Sequence, residues 1–434
     1  MLLRVVQKHS RDFGVSDAIS GVGIIYVTLQ KTAEDVANFL AAQGVNAKAY
    51  HAGLENETRQ AIQNGFMAGA ISVVVATIAF GMGVDKADIR FVVHYDLPKS
   101  IENYSQEIGR AGRDNLPSRC VVLANLDGLQ TVENFVYGDT PEFHSIQKVL
   151  KTIAEQTQNH QWELQLYGLS NHSNIRQLTL KTLLVQLELR GILTALYSYS
   201  AEHKIKLLHD KNTILQRFNG ERADFIAAIF NAVRFKKIWG EMDFDALYKH
   251  YGGERKRALA ALEYLHEKKL IDLQSSGLTE VYSVNTELLQ QPALADELFQ
   301  AFKQHEVAEI TRIGYLVRFL ESKTCLSFGL ARYFDDANAP EHCGHCSVCR
   351  GRIAELTRTH TTDIPAPTLI AAAQNIKNHL HTKGEKTVSH ELIARFLAGI
   401  SVPLFTRTKA RQAGGFGLAE TMRYEDILKV IEGM

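Results

Sequence analysis

Two clusters in this sequence have residue types and spacings that can do chemistry. Arg110 and Arg113 stand three apart in Gln106-Glu107-Ile108-Gly109-Arg110-Ala111-Gly112-Arg113-Asp114, set between glycines. Ser100 suits an N-cap, and Ile101 to Ala111 reads as a helix ending where Gly112 can turn left-handed. Residues three apart share one side of a helix end, so both guanidiniums would emerge together. A planar, permanently charged guanidinium on such a tip can reach a phosphate held by a neighbouring domain. That is the geometry of an arginine finger in phosphoryl transfer. A bare pair of this kind also describes two solvated arginines in a turn, so the neighbouring motifs must decide. The second cluster is Cys325, Cys343, Cys346 and Cys349, which holds four of the five cysteines. Thiols this close cannot pack as structural disulfides, but four thiolates satisfy a tetrahedral zinc ion. His342 and His345 interleave them and could substitute as ligands, although four sulfurs already close the site. Cys120 falls in an apolar run and reads as core.

The elements around the arginines alternate. Gly23 to Val27 is a continuous apolar run suited to a buried parallel strand. Thr32 and Asp35 look like a capping box, opening a helix with Val36, Phe39 and Leu40 inward and Gly44 at its end. Strands follow to Tyr50 and at Ile71–Ala76, Arg90–His94 and Arg119–Ala124, with a helix ending near Phe66. This order predicts a parallel sheet with helices on both faces. Functional groups of such sheets lie beyond the carboxyl ends of the strands, where His51, Thr77 and the Gly81–Lys86 loop fall.

Tyr50-His51-Ala52-Gly53-Leu54, then Ala76-Thr77-Ile78-Ala79-Phe80-Gly81-Met82-Gly83-Val84-Asp85-Lys86, then the double-arginine segment, together resemble the second RecA-like lobe of the RecQ-type DNA helicases. The resemblance is dense from about Gly23 to Leu123. It implies that Arg113 stabilises charge on the transferred phosphoryl group and that Arg110 contacts the same phosphates. It further implies Gly83 and Asp85 on the cofactor side, Asp85 near the ribose, and Gln106 linking the ATP cleft to the DNA groove. His51 and Thr77 would hold DNA phosphates; read without the resemblance, His51 also fits a buried, hydrogen-bonded loop histidine, Thr77 a strand-end cap and Asp85 a turn residue organising the glycine loop. Such enzymes cradle ATP and Mg2+ against a first lobe with a glycine loop ending in Lys-Ser/Thr and an acidic strand end. This sequence has neither. The expectation is therefore the C-terminal part of a helicase, unable to hydrolyse ATP usefully without that missing N-terminal lobe.

Beyond Phe143 the texture is helical, with two weakly repeated stretches. Asn174–Arg190 is an apolar-periodic helix followed by short alternating strands to Leu208. Phe244–Tyr251 and Glu254–Lys268 are helices, with a hairpin expected from Leu270-Ile271 and Val281–Val284. Helix, turn, helix and wing is the winged-helix pattern, which can place its second helix on DNA. Arg255, Lys256 and Arg257 open the second such helix and could meet phosphates, or simply form a solvated helix end. RecQ-type helicases also carry a zinc module introduced by a helix, as Tyr315–Phe319 introduces Cys325. In the family that module normally follows the second lobe directly, with the winged helix after it; here the order is reversed, which implies a divergent branch. The Phe405–Arg411 run could bind a nucleic-acid backbone or form a solvated loop.

The expected organisation is a connector at 1–20, the α/β RecA-like lobe at 21–142, and winged-helix-like domains at 143–220 and 221–305. A zinc-binding helical module at 306–360 and an α-rich domain at 366–434 complete it. The 434 residues are 45% hydrophobic and 22% charged, with formal net charge +0, so a nucleic-acid surface must come from local patches. Neither a signal pattern nor a long apolar run is seen, giving an intracellular expectation without membrane, in the nucleoid of a bacterium. The resemblance implies ATP-driven 3′-to-5′ unwinding of single-stranded, junction or duplex DNA in repair or recombination. The rivals are a non-catalytic DNA-binding or regulatory protein and a relative of RNA helicases.

Overall fold

The computed structural model describes residues 21–78, 80, 84–123, 125–358 and 364–434. The expected connector at 1–20, and Gly81, Met82 and Gly83 of the glycine loop, lie outside the described residues. The chain divides into two units, one of residues up to Pro141 with Gln300–Met434, the other of Glu142–Phe299.

The first unit opens with strands β1 (Val22–Tyr26), β2 (Ala47–Tyr50), β3 (Val73–Ala76), β4 (Ile89–His94) and β5 (Arg119–Val122). They form one parallel sheet in the order β2-β3-β1-β4-β5. Helices α1 (Gln30–Ala42), α2 (Asn56–Met67) and α3 (Ile101–Ile108) connect them. Side chains alternate across a strand, so each strand feeds two cores. Ile25, Val75 and Val93 join Ala33, Val36 and Leu40 of α1 on one face. Ile24, Val74 and Val92 join Phe66 of α2 and Phe80 on the other. Gly23 has to be glycine, because a Cβ there would collide with the Phe91 ring.

Some local expectations are corrected. The first helix starts at Gln30 without a side-chain cap, and Asp35 pairs with Lys31 at 3.0 Å instead of closing a box. Phe39 is half exposed, because the stripe Ala33, Val36, Ala37 and Leu40 already fills the inward face. Cys120 is exposed, since β5 is the edge strand of the sheet. After β5 comes α4 (Leu129–Gly138).

The second unit holds α5 (Phe143–Gln156), β6 (Gln161–Leu164), α6 (Leu166–Ser173), α7 (Gln177–Leu189) and β7 (Leu193–Leu207). It continues with α8 (Glu221–Asn231), β8 (Val233–Phe235), β9 (Trp239–Met242), α9 (Phe244–Tyr251), α10 (Arg255–Glu267) and β10 (Ile271–Val284). The strands make a single antiparallel sheet in the order β6-β10-β7-β9-β8. The expected hairpin of Ile271 with Val281–Val284 is one strand of 14 residues, and the short strands before Leu208 are one strand of 15. The two run side by side over their whole length.

Helix α11 (Leu294–Leu320) leads to α12 (Leu326–Tyr333) and the cysteine loop. In the first unit, Leu316 and Leu320 of α11 pack with Leu97, Ile101 and Tyr104 around α3. Helices α13 (Ala366–Thr382), α14 (His390–Leu397), α15 (Pro403–Arg407) and α16 (Tyr424–Glu432) enclose a separate core that takes in Tyr137 of α4. Tyr137 stacks on Tyr424 at 4.3 Å, and Arg423 reaches both oxygens of Glu133, at 2.8 and 3.2 Å. In the Phe405–Arg411 run Phe405, Thr408 and Ala410 are buried, Arg407 pairs with Glu385 at 2.6 Å, and Arg411 lies over Phe416. Among the described residues no helix is long and apolar enough to cross a membrane.

Candidate nucleotide-side arginines and a four-cysteine metal site

Helix α3 begins as the sequence predicts, with the Ser100 hydroxyl accepting the Asn103 N–H at 3.2 Å. Its regular part stops at Ile108, three residues short of the expected Ala111. Gly109 to Gly112 then unwind it, and Gly112 sits at φ 68° where a Cβ would meet Ser118 and the Leu116 carbonyl. The two arginines consequently part company. Arg110 is buried, its Nη1 donating to the Val84 carbonyl at 3.5 Å, and it faces the Tyr26 phenol. Burial pushes Tyr26 up, against the pull of the Arg110 charge. Arg113 stays at the surface, with Nε donating to the Gly109 carbonyl at 3.2 Å and Nη1 against Asp85 Oδ1 at 2.7 Å. Asp85 is almost fully exposed. An ion pair this open is worth about 0–1 kcal/mol, so a more highly charged phosphate would readily take the guanidinium over.

The carboxyl ends of the strands meet beside these residues. Val27 N–H bonds to the Ala76 carbonyl at 2.9 Å, Thr77 N–H to Tyr50 at 3.3 Å, and Tyr95 N–H to Tyr26 at 2.9 Å. Thr77 is half-buried there and Gln106 is exposed on α3. His51 is buried, with Nε2 3.2 Å from Glu34 Oε1 and no described partner for Nδ1. Sequence reasoning missed one further pair. His94, fully buried at the end of β4, meets Glu107 Oε2 at 2.7 Å, between the rings of Tyr26 and Tyr104. This strut fixes the helix one turn before Arg110. Its trace in the sequence is a histidine ending an apolar strand and a glutamate on a helix's inward face.

On α10, Arg255 is sandwiched between Phe244 and Tyr199, 4.6 and 5.1 Å from their centroids, and donates to the Ser200 carbonyl at 2.8 Å. Arg257 pairs with Glu221 at 2.7 Å over the Phe225 ring. Lys256 is exposed between them. Two of the three cations thus already serve the unit's own packing. The outward face of α7 exposes Leu178, Val185 and Leu189 among Gln177, Lys181 and Thr182.

The four cysteine sulfurs lie within 4.8 Å of one another. Cys343 and Cys349 are 4.0 Å apart, and Cys346 and Cys325 3.9 Å. A tetrahedron with zinc–sulfur bonds of about 2.3 Å has edges of about 3.8 Å, so these two pairs already lie near the edge length of a zinc site. Backbone N–H groups prepare the thiolates: Cys343 N points to Cys325 Sγ at 3.4 Å, Cys346 N to Cys343 Sγ at 3.2 Å, and Cys349 N to Cys346 Sγ at 3.4 Å. Burial raises the Cys343 thiol, but the Ser327 hydroxyl and the His345 and Cys346 amides outweigh it and bring the pKa to about 5. For Cys349 the Gly344 amide lowers the pKa, yet burial and the adjoining thiols win and hold it at about 11. Four sulfurs this crowded need a dication before all can ionise together. His345 turns away, its Nδ1 2.7 Å from the Cys343 carbonyl oxygen. The module also touches α3, because the Tyr333 hydroxyl at the end of α12 donates to Glu102 Oε1 at 2.7 Å.

Residues 11–115 match the helicase conserved C-terminal domain, and residues 286–350 match the RecQ zinc-binding family. The chain is 55% identical over 100 residues to the ATP-dependent DNA helicase RecQ of Pasteurella multocida, covering 23% of this chain and 16% of that protein. It is 52% identical over 101 residues to the RecQ-like DNA helicase blm-1 of Caenorhabditis elegans, 23% of this chain and 10% of that one. The RecQ helicase of Haemophilus influenzae matches at 44% over 135 residues, 31% and 22% of the two chains. The chain therefore spans well under a quarter of the length of these relatives. The parallel sheet, the four-cysteine site and the two matched segments make this chain similar to the C-terminal region of the RecQ-type helicases.

Proposed function

We propose that this chain works as the arginine-bearing half of an ATP-driven DNA helicase. The observation that carries the reading is the exposed Arg113 guanidinium in the glycine-flanked turn after α3, held by a bond to the Gly109 carbonyl and an open ion pair with Asp85. Bound ATP and Mg2+ would supply the phosphoanhydride bond and charge neutralisation. Arg113 would offset charge on the phosphoryl group being transferred. Arg110, locked against Val84 and Tyr26, would position that helix end and couple it to the sheet, while Asp85 and Gly83 would serve the nucleotide side. Gln106 would pass the state of the cleft to DNA held by His51 and Thr77, and within the second unit Lys256 would meet a DNA phosphate. The phosphate-cradling lobe is supplied from outside these residues. Zinc holds the four-cysteine module and keeps Tyr333 against α3. Unwinding with 3′-to-5′ polarity, in DNA repair or recombination within the cell or nucleoid, belongs to the same proposal. It rests on the resemblance to the RecQ-type helicases; the relatives' names support DNA helicase activity and nothing finer.

The test is DNA-stimulated ATP hydrolysis of this chain beside the same chain extended upstream in its reading frame, each with Arg113→Ala. Hydrolysis by the extended form, lost in the variant, supports the reading. DNA binding with no ATP dependence in either form would replace it with a binding module.

A further inference from the structure

Residues 143–284 carry one structural unit twice. Trp239 of β9 follows Gln161 of β6 by 78 positions (239 − 161), and the same displacement relates α6 to α9, α7 to α10, and the start of β7 to that of β10. Local details repeat with the elements. Asn174 and Gly252 end α6 and α9 at φ 60° and 71°. Gly191 and Lys269 follow α7 and α10 at φ 70° and 56°. The next residues, Ile192 and Leu270, each donate back at 2.9 Å, to Leu187 and Leu265. A lysine rarely occupies the left-handed region, so its presence at the glycine's place shows that the backbone geometry is repeated. Leu169 and Leu247, Leu184 and Leu262, and Leu187 and Leu265 are matching buried positions.

The long strands break the local pattern. A wing closed on itself would fold each strand at its middle. Here β7 and β10 instead run straight past each other, in a register centred on Ser200 opposite Leu278, residues that are themselves equivalent in the two copies. Ser198 faces Glu280 and Glu202 faces Ser276, a second equivalent pair. The short strand β6 is completed by Glu280–Ser283 of β10, and β9 by Lys204–Lys206 of β7. Gly277, at φ 69° beside the centre, marks the crossing.

We propose that residues 143–284 are a tandem duplication whose wing strands are exchanged between the two copies, with Gly277 and the facing Ser200–Glu202 segment as the crossing. The folded-back and exchanged arrangements make nearly the same strand contacts and differ at the crossing. Covalent tethering makes the exchange an intramolecular event with little entropic cost. Neither copy has a complete sheet without the other. The two second helices, α7 and α10, are therefore carried at opposite ends of one rigid ribbon about 45 Å long.

The experiment uses the full chain with two cysteines added. Ser198→Cys with Glu280→Cys places the thiols opposite each other in the exchanged ribbon, at the roughly 4.5–5.5 Å Cα spacing of antiparallel pairs, within disulfide reach. Ser198→Cys with Glu202→Cys would be opposite only in a wing folded on itself. Mild oxidation and peptide mapping should show the 198–280 bond forming at least about tenfold faster than 198–202, since strained separations do not close. Faster closure of 198–202 overturns the proposal. A readout independent of added cysteines is amide exchange in the full chain carrying Leu262→Ala. Exchange between copies predicts faster exchange in β6 as well as β9; a change confined to the second copy overturns it.

Discussion

Replacing Arg113 separates catalysis from stability, because the structure assigns it little of the second. Its ties are one bond to the Gly109 carbonyl and an ion pair with Asp85 across solvent. Exposed pairs of this kind contribute about 0–1 kcal/mol. Arg113→Ala should therefore leave the melting transition within a few degrees, as about 1 kcal/mol moves a domain of this size. An arginine finger in the same place is worth about 10³–10⁵ in turnover, or about 4–7 kcal/mol of barrier. Arg110→Ala behaves in the opposite way. It removes a buried guanidinium from the Val84 carbonyl and the Tyr26 ring, which should cost about 2–4 kcal/mol of stability through a cavity and lost hydrogen bonds. The assay is DNA-stimulated ATP hydrolysis of the upstream-extended protein at saturating ATP, with calorimetry of each variant. If Arg113→Ala loses less than about tenfold in turnover, below the range set by known fingers, its assignment fails. If it unfolds the lobe, the weak-tether argument fails.

Phe66 is fully buried, edge-on to Phe80 at 5.5 Å in the core that also holds Tyr50, so Phe66→Ala should cost about 3–5 kcal/mol in denaturant titration. Arg90 hydrogen-bonds to Asp114 and holds its carboxyl below the usual range. A depressed carboxylate stabilises above its unfolded pKa of about 4, and that contribution disappears as pH falls through the folded value. Asp114→Asn should accordingly lower the melting temperature at pH 7, and the difference from the unsubstituted chain should shrink as the pH falls below about 4. Atomic absorption should find one zinc ion per chain, lost on Cys343→Ser. Chelation should release the Tyr333–Glu102 bond and speed amide exchange at the start of α3.

Much of the lobe was legible because its determinants are local. Continuous apolar runs specify strands buried on both faces, Ser100 caps its helix through a bond three residues away, and Gly112 marks its own left-handed turn. The four cysteines declare a tetrahedral site by type and spacing alone, and two of the sulfur pairs lie near its edge length. Tertiary structure decided what depends on distant partners. Phe39 carries the same apolarity as Val36, and only the filled stripe beneath α1 leaves it outside. Helical spacing puts Arg110 and Arg113 on one side of the helix end, yet the unwinding at Gly109 buries one under Val84 and leaves the other on Asp85. Arg255 and Arg257 read as free cations until Tyr199, Phe244 and Glu221 are brought against them. The wings show the limit most clearly. Alternation along Leu193–Leu207 and Ile271–Val284 specifies β-structure and a two-faced pattern, but a strand folded on itself and one passed to a twin satisfy that pattern equally. The choice rests on which partner's edge is hydrogen-bonded, a relation between residues 78 positions apart (278 − 200) that no local window contains.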